Sequence, residues 1–267
     1  MAPRPESPLA RAFLPNRAVD GPIWAILVGG WVAAALLAWV LSPWETLPGP
    51  LEVLQALRGL WFEQGMGPEL FTTIRLILHA MALTVVISLA LSYATVIAAL
   101  RPLVIATSKL RFIGVTGLVF PFTLLTGGGY ELKIALLTFA MVTFFVTSMA
   151  QIVLEIPQEQ FDLMRVLGAG EVRIFWEVVV RGTLDKALEV LRQNAAIGWA
   201  MITMVEGISR SEGGIGALIL NQNKHFHLAE VYAILLVILV LGLALDGLLG
   251  LLIRVVCPYA ELGRVER

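Results

Sequence analysis

From residue 23 to residue 41 the chain runs 19 residues without a charged side chain. As a helix rising about 1.5 Å per residue, that stretch measures about 28 Å, the depth of a bilayer's hydrocarbon core. The pattern recurs along the sequence. A second apolar run covers 76–100, with His79 as its only interruption. A third, 112–126, contains Pro121 and ends at the glycines 127–129. A fourth covers 134–154. A fifth, 194–205, is short and reaches a bilayer's width only by borrowing 188–193. A sixth, 231–253, carries Asp246 toward its end. Lipid offers the backbone no hydrogen bonds, so runs of this length must close their own as helices. The expectation is an all-α membrane protein with six transmembrane helices over 23–256 and polar tails at 1–22 and 257–267.

Composition narrows the class further. A mean hydropathy of +0.84 with 15% charged residues excludes a soluble domain. A length of 267 residues leaves no room for a second folded unit. The one cysteine, Cys257, excludes an intrachain disulfide or a cysteine-based metal cluster. The net charge of −1 gives no argument for a nucleic-acid partner. The polar, Pro-rich stretch before the first apolar run has no small-residue cleavage site behind that run, so no cleaved signal peptide is expected. Six crossings with the N-terminus inside leave only Arg58, Arg75, Lys133, Arg210 and Lys224, of 19 Lys and Arg, on the outside. By the positive-inside rule both termini are then cytoplasmic.

The same orientation places a charged island, 155–192, in the cytoplasm. Residues 158–167 read as a short helix with Phe161, Met164 and Leu167 near one face, and Asp162 three positions before Arg165, within pairing distance. Gly168-Ala169-Gly170 stops that helix and redirects the chain. A second helix starts at Glu171, an acidic residue at the positive end of the helix dipole. Its apolar positions Val172, Phe175, Trp176, Val179 and Val180 follow helical spacing. Periodicity alone leaves two uses open: knobs for a groove in a partner protein, or an amphipathic segment resting on lipid headgroups.

The residues of the island also resemble a known pattern. "PQEQFDLMRVLGAGEVRIFWEVVV" (157–180) is similar to the cytoplasmic coupling loop of ABC-importer permeases, with Arg165, Leu167, Gly168 and Ala169 matching and Asp162 where a Glu is expected. "LPGPLEVLQAL" (47–57), "GGGYELKIALL" (127–137) and "EGISRSEGGIGALILNQN" (206–223) resemble further segments of the nitrate/sulfonate/taurine-type permeases, in the same order. The resemblance implies a type I ABC importer permease fold in the bacterial inner membrane. It implies that Phe161, Asp162, Met164, Arg165, Leu167, Gly168, Ala169, Gly170 and Glu171 couple the spans to an ATPase. It also implies partners: a second permease subunit, identical or a sister, two ATP-binding cassette subunits, and a periplasmic solute-binding protein. The cargo it implies is a small anionic or zwitterionic solute. ATP and Mg belong to the ATPases, and no cofactor is expected on this chain. Leu163 and Met164 stand where the family has alanines, and the family's proline near Arg181 is missing, a drift that fits pairing with a non-identical sister.

Other candidates carry less. No G-x-x-x-x-G-K-[ST] occurs, so the chain has no phosphate-cradling loop of its own. His225 and His227 form a two-ligand pair with no third ligand nearby in sequence, which reads as an ordinary loop pair. Asp246 is an intramembrane acid, but Arg254 follows eight residues later, which favours a structural acid near the cytoplasmic rim. Glu206 either faces the pathway or caps the loop after it. Thr143, Thr147, Asn194 and Thr203 are candidate pathway-lining groups, although hydroxyls in lipid usually bond their own helix. An ion-gradient transporter is the rival reading; it would call for paired carboxylates or broken helices at mid-membrane.

Overall fold

The structure, a computed structural model, describes residues 21–42 and 47–258, and every regular element among them is helical. The tails 1–20 and 259–267 lie outside the described residues, and with them the expected placement of both termini. Helix α1 (Gly21–Val40) is apolar all round and buries none of its residues against the rest of the chain. Its end is tied by the Trp39 indole, which donates to the Pro48 carbonyl at 3.0 Å. Helix α2 (Pro50–Phe62) opens on a proline, which has no N–H to leave unpaired. The Glu52 carboxylate accepts from the Gly49 N–H at 3.1 Å.

Helices α3 (Met66–Ala94) and α6 (Gly129–Leu154) form the centre, and α9 (Leu184–Ile208) lies against both. Leu76, Ile77, Ala80 and Met81 of α3 meet Ile134, Leu137 and Met141 of α6 and Ala195 and Ile202 of α9. α6 is the most enclosed element, and its 26 residues measure about 39 Å, more than enough to cross a bilayer. Helix α11 (Leu228–Val256) buries only Ala233 and Ile234; its remaining apolar surface is the kind that lipid covers. Helix α10 (Ile215–Lys224) bridges α9 and α11.

Four helices, α1, α3, α6 and α11, are long and apolar enough to cross a membrane unaided. The third expected span is not one of them. It is a bent pair, 98–112 and 115–126, turning through 106°. The pair contains α4 (Arg101–Lys109) and α5 (Val119–Thr126), joined by short 3-10 turns. Pro121 does not break the run: it sits in the first turn of α5, where a backbone N–H needs no partner. The fifth expected span is the apolar half of α9, a single 25-residue helix that continues without a break from the charged 184–193.

Candidate functional site

The charged island folds into two short helices. Helix α7 (Gln158–Val166) ends in a left-handed turn at Gly168, φ +77°. The Gly168 N–H donates to the Arg165 carbonyl at 2.9 Å, and the Ala169 N–H to the Met164 carbonyl at 3.0 Å. These two bonds are the paired closure of a glycine-terminated helix. Helix α8 (Glu171–Ile174) follows and widens into a π-helix, Phe175–Arg181. Arg165 joins the two helices across the turn. Its Nη1 donates to Asp162 at 2.9 Å, while Nε and Nη2 grip both oxygens of Glu171 at 3.0 and 3.4 Å. The Asp162–Arg165 pair is legible as i,i+3 spacing; the Glu171 contact is not, because only the turn brings the two together. The guanidinium holds the Glu171 carboxyl below its ordinary value, first by the hydrogen bonds and then by charge.

The apolar residues divide differently from their helical spacing. Ile174, Val178 and Val179 are buried and Phe175 is half-buried, while Val172 and Trp176 are 84% and 56% exposed. The wider π turn causes this: it puts i and i+5 in line, so Ile174 aligns with Val179 and the expected stripe through Val172 and Trp176 turns outward. Phe161, expected on the coupling face, packs inward. It is half-buried with Phe175 against Phe145, Met149, Val153 and Val179, the protein's own core. Met164 and Ala169 are half-buried and Gly170 is exposed. The outward knobs are Leu163, Val166, Leu167 and Val172, at 61%, 85%, 72% and 84% exposure. A rigid apolar patch thus stands on two stapled helices whose inner face is locked into the helix bundle.

At the far end of the bundle two of the segments singled out in the sequence, 127–137 and 206–223, meet the start of α3. The first backbone N–H groups at α10 are all capped from other helices: Gly214 by Glu69, Ile215 by the Thr73 hydroxyl at 2.9 Å, and Gly216 by Glu206 at 2.7 Å. Thr73 also donates to Glu206 at 2.7 Å, and the buried Lys133 ammonium donates to the Gly213 carbonyl at 2.7 Å. Glu206 is wholly buried, so it caps the loop and does not face an open path within this chain. Glu69, Thr73 and Lys133 carry no sequence signal for this role, since 80 residues separate Lys133 from Gly213.

The remaining pathway candidates are internal ties. Thr143 and Thr147 bond carbonyls of their own helix, at 2.8 and 2.7 Å. Asn194 is buried and donates to the Met141 carbonyl at 3.0 Å, joining α9 to α6. The main chain of half-buried Thr203 lies against Gly216. Asp246 is gripped at both oxygens by Arg192, at 2.7 and 2.6 Å, which ties α11 to α9. His225 and His227 stand with ring centroids 6.0 Å apart, and no group of three metal-ligating side chains occurs among the described residues.

Residues 21–256 match the family described as the binding-protein-dependent transport system inner membrane component. A probable ABC transporter permease protein of Brucella melitensis biotype 1 is 25% identical over 232 residues, covering 85% of this chain and 90% of that one. Its counterpart in Brucella abortus strain 2308 is 25% identical over 85% of this chain and 89% of that one. Among solved structures, an inward-facing MetNI methionine ABC transporter superposes with a TM-score of 0.58 at 16% identity, covering 78% of this chain and 99% of that chain. At that identity the likeness is one of fold.

Proposed function

Since the chain belongs to the family of inner membrane components of binding-protein-dependent transport systems and is an ABC-importer permease, we propose that it forms the translocation pathway for a small anionic or zwitterionic solute and is driven through residues 158–182. In this reading six crossings carry the path, the island faces the cytoplasm, and 155–190 is the coupling element of a permease domain covering 23–256. Two permeases, identical or sisters, sit above two ATPase subunits, and a periplasmic binding protein delivers the solute. ATP hydrolysis falls to the ATPases, and this chain does no chemistry. The nitrate/sulfonate/taurine-type segments support the class of solute.

One observation carries the coupling role. Leu163, Val166, Leu167 and Val172 are exposed on a loop whose other face, through Phe161, Phe175 and Val179, is packed into the spanning helices. A partner that grips the knobs therefore moves the bundle, because a packed core transmits displacement with little give. The test is co-expression with the cognate ATPase, followed by pull-down and ATP-dependent uptake of taurine, nitrate and sulfate into proteoliposomes. Leu167→Asp and Val172→Asp should abolish ATPase capture and uptake at unchanged permease levels. If both variants capture the ATPase as well as the unmodified chain, the loop lies on lipid and coupling resides elsewhere.

A further inference from the structure

Two cavities adjoin between α9 and α11 and form one crevice with unlike ends. The apolar end, about 410 Å³, is lined by Ala196, Trp199, Leu239, Gly242 and Leu243 among others. The polar end, about 560 Å³, is lined by Asp185, Lys186, Glu189, Gly250 and Arg254 among others. Arg192 borders both. The gap follows from the sequence, because Ala196 on one helix and Gly242, Gly247 and Gly250 on the other put no bulk into it. Two bonds across the crevice hold its walls in place. The Trp199 indole donates to the Ile238 carbonyl at 2.8 Å, and further down α9 Arg192 grips Asp246. The crevice is therefore preformed.

The lining dictates the contents. An apolar cavity does not hold water, whereas a hydrocarbon chain gains dispersion contacts on every wall. The apolar end opens beside Leu239 and Leu243, which are 56% and 64% exposed on a helix whose outer surface lipid covers. From Leu235 to Asp246 it follows α11 for about 16 Å, close to half of a hydrocarbon core about 30 Å thick, which is the reach of one lipid's chains. The polar end carries both signs of charge. Asp185 and Glu189 are half-buried, Lys186 and Arg254 are exposed, and Asp185, Lys186 and Glu189 form no ion pair among the described residues. A ligand bearing only an anion would meet the two carboxylates, and one bearing only a cation would meet the basic groups. A headgroup that carries a phosphate and an ammonium matches both.

We infer that this crevice binds one phospholipid with a zwitterionic phosphoethanolamine headgroup, its chain in the apolar end and its headgroup among Asp185, Lys186, Glu189 and Arg254. The phosphate faces the basic pair and the ammonium faces the carboxylates, an arrangement that basic pockets between spanning helices offer to lipid headgroups in general. The inference goes beyond the transport reading, since it needs only the bilayer in which this family works. A lipid seated there touches α9 and α11 together and fills the space that their small residues leave open.

The test is native mass spectrometry of the assembled permease–ATPase complex, delipidated in detergent and titrated with dioleoyl phosphatidylethanolamine or dioleoyl phosphatidylglycerol. The ethanolamine lipid should bind once per permease chain and roughly fivefold more tightly than the glycerol lipid, the scale of one charge near a membrane surface. Asp185→Asn combined with Glu189→Gln should reverse that preference, and Lys186→Gln should weaken both lipids. Ala196→Trp fills the apolar end from an exposed position and should abolish the saturable site. The charge variants leave the apolar end untouched and decide the point if tryptophan prevents assembly. Equal affinities that the charge variants do not alter would overturn the inference. So would glycerophosphoethanolamine, which has no chains, binding as tightly as the lipid, or a disulfide between Ala196→Cys of two permease copies in the intact complex, which would put protein in the crevice. Failure of the unmodified chain to capture an ATPase undoes the transport reading instead, and titration of the permease alone then decides the lipid site.

Discussion

Replacing Gly168 probes the proposed coupling loop where its backbone is most constrained. Its φ of +77° is left-handed, and a Cβ built there meets no atom within 4 Å. The cost of a side chain is therefore conformational, with no collision inside the chain. For alanine that cost is about 1 kcal/mol, for β-branched valine about 2 kcal/mol, and for asparagine, which visits this region readily, only a few tenths. If the ATPase grips only the turned loop and the turn is in near balance with its alternatives in the free permease, the apparent affinity falls with the population of that turn, by at most a factor of ten for each 1.4 kcal/mol. Gly168→Ala should then weaken ATPase binding roughly fivefold, Gly168→Val roughly thirtyfold, and Gly168→Asn by less than about twofold. Titration of the ATPase onto detergent-solubilised permease measures the series, with the permease's own melting temperature as the control for folding. Valine binding like glycine, or asparagine failing as badly as valine, would refute the claim that the left-handed turn is what the partner recognises.

Other perturbations give separate readouts. Gly216→Ala puts a Cβ 2.5 Å from the Thr203 carbonyl oxygen and 2.6 Å from its Cα, main-chain atoms that cannot swing aside. It should cost about 1–3 kcal/mol, read as a lowered melting temperature in detergent. Glu206→Ala strands the Gly216 N–H and removes the acceptor of the Thr73 hydroxyl, a loss of about 2–3 kcal/mol in the same assay, and Glu206→Gln should lose less. The Arg165–Glu171 contact depresses the carboxyl's pKa, so whatever order it gives the loop is present above the ordinary Glu value of about 4.3 and is lost as pH falls through the lower folded value. Hydrogen exchange of the 167–171 amides should thus show equal relative protection at pH 5 and pH 8 and a loss only below about pH 4.

Much of the fold follows from simple patterning. α1, α3, α6 and α11 are legible because long charge-free runs admit one solution in lipid. The third run misleads because apolar length says nothing of direction, and the bend is set by the 3-10 turns around Gly114. The fifth run looks short in the sequence because charged residues precede it, yet charge on its first half does not interrupt a helix, and 184–208 forms one. In the charged loop the turn at Gly168 is visible because glycine marks it. The buried face is not, because a π-helix changes the period that the apolar residues are read against. Arg165 with Glu171, and Lys133 with the loop at Gly213, are brought together by tertiary structure and leave no local trace.

The coupling claim is tested most directly by cross-linking. Cysteines at Val166 and Val172, 85% and 84% exposed, are placed in membranes containing the co-expressed ATPase and treated with a short bis-maleimide. A cysteine at Phe226, 83% exposed in the loop between α10 and α11, serves as the comparison. The account predicts a permease–ATPase adduct at 166 and 172 and none at 226. No adduct at either loop position, or an equal yield at 226, would contradict it.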